Sequence, residues 1–164
     1  MSEPFAADML RQQLVQDPNN KSTASVSPEY QVADLYVSKF PRAAGGMGHV
    51  GIGINTPETE GFYPAKNTAA TITGYSPPGV VKPDDMSAPH ETLRIPTTPA
   101  QDDAVSRYIQ SRKENPGDYS LYTENCKDFV GDALQAGKIT PPQRVAPIDF
   151  YRDLDRIYGP KRGR

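Results

Sequence analysis

The chain has 164 residues, enough for one domain with a real hydrophobic core plus tails, but not for a second catalytic domain. Its 36% hydrophobic and 23% charged residues describe a globular protein, and 17 prolines with 13 glycines predict many loops, short strands and modest helix content. A formal net charge of -2 gives no global basic field and argues against nonspecific nucleic-acid binding, while a single cysteine excludes an internal disulfide.

In chain order, Met1 to Leu10 lacks a cationic start followed by an apolar core, so it does not read as a secretory signal, and no apolar run is long enough to span a membrane. The chain therefore reads as soluble in the cell that makes it. Phe5, Met9, Leu10 and Leu14 allow a short amphipathic helix, and Gln16 to Pro28 reads as linker, so residues 1–30 form an arm. That arm packs on the domain or docks on a secretion component.

Residues 31–158 are the expected domain, opening with a strand over Val32–Phe40 and turning through Pro41–Gly48. In Gly48–Asn55 the alternation puts Val50, Ile52 and Ile54 on one face and His49, Gly51 and Gly53 on the other. Glycine within a strand commonly marks close approach of backbone or ligand, so Gly51 and Gly53 are expected to floor a substrate groove beside the imidazole. Thr68 to Thr73 is a candidate strand, Pro77–Asp84 reads as a loop with a short extended insert, His90 as a solvated loop residue, and Glu91–Ile95 as a strand.

Thr98-Pro-Ala-Gln101 combines a threonine cap, proline at the first helical position and glutamine at the third, opening a helix through Val105, Tyr108 and Ile109 to Lys113. Asn115–Asp118 breaks it. A second helix starts at Cys126 with Asn125 as its cap; Phe129, Val130, Ala133 and Leu134 form its buried face and Gly137 stops it. A closing helix spans Pro147–Ile157 with Ile148, Tyr151, Leu154 and Ile157 at helical spacing, and residues 159–164 form a basic tail.

The chemistry concentrates on Cys126. A helix N-terminus favours thiolate over thiol, and the thiolate is the nucleophile. Of the two histidines, His49 is the candidate base, about eighty residues upstream of the cysteine, an order that geometry-defined sites permit. One cysteine and two distant histidines offer no metal-ligand spacing, the carboxylates show no calcium-loop pattern, and no cofactor is expected.

Tyr119-Ser-Leu-Tyr-Thr-Glu-Asn-Cys-Lys-Asp-Phe-Val130, preceded by Gly48-His-Val-Gly-Ile52, resembles the circularly permuted branch of the NlpC-type papain-like superfamily. Lecithin retinol acyltransferase and its relatives carry a similar helix start, as do papain-like toxin domains of bacterial Rhs and type VI secretion effectors. The resemblance spans roughly Tyr36 to Gly137. It implies an α+β fold, with a small antiparallel sheet carrying His49 packed on the cysteine helix. It also implies Cys126 as nucleophile, His49 as base, and the Cys126 N–H on the oxyanion.

A third polar group should orient the imidazole. The acyltransferase pattern places a second histidine after the first, where this chain has Glu60-Gly-Phe-Tyr-Pro64; Glu60 is the candidate, with Asn55 and Tyr63 as neutral alternatives. Tyr36, Tyr63 and Asn125 are expected near the substrate. The implied activity is a thiol acyl hydrolase or acyltransferase, acting on peptidoglycan amide bonds or phospholipid acyl esters. The implied setting is an antibacterial effector exported without a signal peptide to the periplasm or envelope of a target cell, with a neutralising immunity partner. The alternatives are a protein-directed thiol protease or deamidase, or a noncatalytic adaptor in which Cys126 and His49 are core residues.

Overall fold

The computed structural model describes residues 33–66 and 74–161. The expected N-terminal helix and linker and the candidate strand at Thr68–Thr73 lie outside them, as do the last three residues of the basic tail. β1 (Ala33–Phe40) is largely buried: Leu35 and Val37 reach one layer of core, and Ser38 is buried against the hydroxyl of Thr92, 2.7 Å away. It pairs antiparallel with β2 (His49–Ile54) in a register that sets Phe40 opposite His49 and Tyr36 opposite Gly53.

β3 (Glu60–Pro64) continues the meander with Glu60 opposite Ile52, and β4 (Gly79–Pro83) closes that side. β5 (Glu91–Thr97) pairs with the other side of β1, giving a five-stranded antiparallel sheet in the order β4-β3-β2-β1-β5. The segment expected to be a loop with an extended insert is therefore an edge strand. Three prolines at positions 77, 78 and 83 mask it in the sequence, yet an edge is where strand prolines are tolerated. The same reasoning explains Pro96, which lies within β5 opposite Asp34 on the far edge.

Three helices cover the sheet: α1 (Pro99–Glu114), α2 (Cys126–Ala136) and α3 (Pro147–Tyr158). None is long and apolar enough to cross a membrane. α1 begins at the expected capping box, in which the Thr98 hydroxyl accepts from the Gln101 N–H and the Gln101 carbonyl accepts from the Thr98 N–H. α2 lays Phe129, Val130, Ala133 and Leu134 against Val50, Ile52 and Phe62 of the sheet and Val105 and Ile109 of α1. In α3 the buried face is Phe150, Tyr151 and Leu154, whereas Ile157 is half exposed, so the expected helical stripe is displaced toward Phe150.

Candidate active site

Cys126 occupies the first turn of α2 and is buried. Asn125 fixes that turn: its side-chain carbonyl accepts from the Lys127 N–H at 2.9 Å, and the Asp128 carboxylate accepts from the Asn125 N–H at 3.1 Å. The Asn125 amide nitrogen donates in turn to the Leu121 carbonyl at 2.9 Å. Both ends of the amide are thus engaged by backbone, which gives Asn125 a capping role.

His49, the first residue of β2, is also buried. Its Nε2 lies 3.0 Å from Oδ1 of Asp84, the residue that follows β4. The backbone N–H of Asp84 donates to the Thr59 carbonyl at 2.9 Å, anchoring the carboxylate beneath the ring. Two hydroxyls complete its shell: Thr59 donates to Oδ2 at 2.6 Å and Tyr63 to Oδ1 at 2.5 Å. The Tyr63 ring stacks on the imidazole with centroids 4.3 Å apart, and Lys82 lies 4.6 Å from the centre of the same tyrosine ring.

The electrostatics of the imidazole follow from these neighbours. Burial works to lower its pKa, but the hydrogen bond to Asp84, a hydrogen bond to the Cys126 sulfur and the negative charges of both partners outweigh it and raise the value to about 9. These neighbours favour the protonated ring over the neutral one. With Nε2 held by Asp84, Nδ1 is the nitrogen left for sulfur. Burial first, then the Asp84 charge, push the Tyr63 phenol above its ordinary range, so it remains a donor.

Two glycines make this arrangement possible. A Cβ on Gly51 would lie 1.8 Å from Oδ2 of Asp84, and one on Gly61 would lie 2.3 Å from Nε2 of His49. The side-chain-free face was expected to be a substrate floor; at Gly51 it is instead the space the carboxylate fills. Gly53 likewise meets backbone, with its would-be Cβ 2.4 Å from the Glu58 carbonyl.

The orienting carboxylate is therefore Asp84, and the expectation for Glu60 is corrected. Antiparallel pairing sets Glu60 opposite Ile52, and its carboxylate pairs with Lys113 of α1 at 2.6 Å. Asn55 turns away too, adopting a left-handed φ of 56° and accepting from the Asp34 N–H at 3.0 Å. Tyr36 sits opposite Gly53 and Arg94, four β1 residues from the one facing His49, or about 13 Å at strand rise. Of the residues expected near the site, the structure brings together Cys126, His49 and Tyr63.

Asp84 and Thr59 were missed by the sequence reading. The recoverable signal was the pair Gly51 and Gly61, which mark a close approach on adjacent strands without saying what approaches. His90 is exposed, as expected, with Nδ1 2.8 Å from the Ala88 carbonyl and its ring tilted over Phe40 at 5.5 Å. Above the His49 ring opens a cleft of about 190 Å³, lined by Phe40, Arg42, Ala43, Tyr63, Asp85, Ala88 and Pro89 as well as the ring itself. Among the described residues no group of three or more histidine, cysteine or acidic side chains is placed to hold a metal ion.

No family model, curated protein or solved structure matches the chain.

Proposed function

We propose that the protein is a cysteine-dependent acyl hydrolase or acyltransferase on a permuted papain-like scaffold, with Cys126 as nucleophile, His49 as acid and base, and Asp84 orienting the ring. The observation that carries this reading is the buried chain from Asp84 through His49 to Cys126. A carboxylate, an imidazole and a sulfur desolvated in series are costly to assemble, and that cost is intelligible as catalysis. The adaptor alternative is disfavoured by the same chain, because an inert core cysteine needs no ionised imidazole beside it.

The chemistry follows from the parts. The Cys126 thiolate attacks an ester or amide carbonyl, forming the S–C bond, while the Cys126 N–H, the first-turn donor of α2 that the Asn125 cap does not take, faces the developing oxyanion. As the C–O or C–N bond breaks, the His49 imidazolium gives its proton to the departing oxygen or nitrogen. Water or another acceptor then attacks the thioester and yields its proton to the imidazole. The thiolate leaves, and the acyl product is an acid or a transferred acyl group.

The resemblance of the two motifs to papain-like toxin domains supports an effector acting on peptidoglycan or phospholipid, with export and a neutralising partner following from that role. The test is to incubate the protein separately with purified peptidoglycan and with phospholipid vesicles and identify products by mass spectrometry. Stem peptides, free fatty acid or lysolipid are expected to appear with the native protein and to vanish with Cys126→Ala and with His49→Ala. The double variant should be hardly worse than either single one, since the pair acts as a unit. Cys126→Ala should stay folded, losing only about 1–2 kcal/mol. A correctly folded Cys126→Ala protein with full activity would show the thiol mechanism to be wrong.

A further inference from the structure

The cleft above His49 has a composition that speaks to the acyl group it receives. Phe40, Ala43, Ala88 and Pro89 give it apolar surface, and Arg42 and Asp85 give it opposite charges. Its volume of about 190 Å³ is well below the roughly 300–1,000 Å³ of pockets that enclose drug-sized ligands. A long hydrocarbon chain would have to extend out of it into solvent.

Arg42 is placed firmly at the backbone and freely at the side chain. It stands two residues past Phe40, in a turn tied by the Ala43 N–H donating to the Phe40 carbonyl at 3.2 Å and the Gly48 N–H donating to the Ala43 carbonyl at 3.1 Å. Its guanidinium is exposed and makes no ion pair among the described residues. The nearby Lys39, by contrast, is committed to Glu91 at 3.1 Å. Asp85 is already occupied, its Oδ1 accepting from both the N–H and the hydroxyl of Ser87 at 3.0 and 2.5 Å. One wall of the cleft thus offers an unused planar cation, suited to bidentate capture of a carboxylate, and the other a carboxylate that repels one.

We propose that the acyl group seated in this cleft is short and carries a carboxylate that Arg42 holds. This rests on the thiol-hydrolase reading, and it selects within it a compact acidic acyl donor over a long-chain lipid acyl group. Arg42 sets specificity and takes no part in bond making.

The test needs no natural substrate. Iodoacetate and iodoacetamide both alkylate a thiolate, forming S–C as iodide leaves, and they differ in a carboxylate against a neutral amide. Second-order rates for Cys126 are measured with both reagents on the full chain at neutral pH and low salt. Arg42→Gln is expected to lower the iodoacetate-to-iodoacetamide ratio about threefold to tenfold, the effect of one unit charge a few ångströms away in partly screened water. Asp85→Asn is expected to raise it. Both side chains are exposed, so folding is not at issue. Rapid alkylation with a ratio unchanged by Arg42→Gln overturns the proposal and leaves the nucleophile reading standing. Slow alkylation by both reagents, as for an inert core thiol, overturns both. 2-Bromopropanoate should react faster than 2-bromooctanoate, and the reverse order overturns the compactness of the acyl group.

Discussion

Two helices of this protein begin with the same local device and end up with different tasks. At the head of α1, Thr98 and Gln101 exchange capping hydrogen bonds, and the nearby buried carboxylate of Asp102 accepts from the Thr97 hydroxyl, a charge that a helix N-terminus favours. At the head of α2, Asn125 and Asp128 form the equivalent box, but the first helical residue is Cys126, and the side chain against its sulfur is an imidazolium, the charge that a helix N-terminus disfavours. The first start is built for stability alone. The second sets the His49 ring between the Cys126 sulfur and Asp84, a carboxylate that Thr59 and Tyr63 hold in turn. Capping chemistry positions the sulfur; what the sheet sets opposite makes it a site.

That contrast can be broken most severely at Asp84. Asp84→Asn keeps the shape but can supply an N–H where an acceptor is needed. It is expected to slow the turnover proposed above, and the alkylation of Cys126, by about 10²–10⁴-fold, on the scale of comparable orienting carboxylates. Circular dichroism should report a folded domain, and an unchanged alkylation rate would show that Asp84 is only a packing group.

A second test uses pH. The fold favours the protonated form of His49, raising its pKa from 6.5 to about 9. Its contribution to stability is therefore complete below pH 6.5 and is lost as pH rises through about 9. Thermal melts from pH 6 to pH 10 should show a decline across that window that is absent from His49→Ala. Equal slopes for the two proteins would contradict an imidazolium in the native state.

The smallest effects separate the two caps. Asn125→Ala should cost about 2 kcal/mol, because it also strips a buried donor from the Leu121 carbonyl, whereas the exposed Thr98→Ala should cost about 1 kcal/mol. Only the former should alter Cys126 reactivity. Denaturant melts combined with alkylation rates measure both quantities, and equal effects on the thiol would remove the distinction drawn between the two helix starts.

What could be read from the sequence divides along the same line. Both caps, the buried face of α2 and the histidine strand were legible because they are written in neighbouring residues: a threonine or asparagine, a partner three positions on, a helical or alternating apolar pattern. Asp84 was not, because it reaches His49 from 35 positions away through pairing of β2, β3 and β4, and its strand was disguised by prolines. Glu60 stands in the neighbourhood where the acyltransferase pattern has its second histidine, but its carboxylate pairs with Lys113 of α1. Gly51 and Gly61 carried the missing information as an empty space whose occupant only the folded sheet identifies.

The prolines of the two outer strands have a consequence for how copies of this protein behave at high concentration. β4 ends in Pro83 and β5 contains Pro96, so each exposed border of the sheet lacks an amide donor that a neighbouring chain would need to extend it. Lys82 on one border and Glu91 and Arg94 on the other add charge that a stacked copy would have to desolvate. Ribbon-like self-association through strand addition, the usual hazard of a small open sheet, is opposed at both ends by the residues of the outer strands themselves.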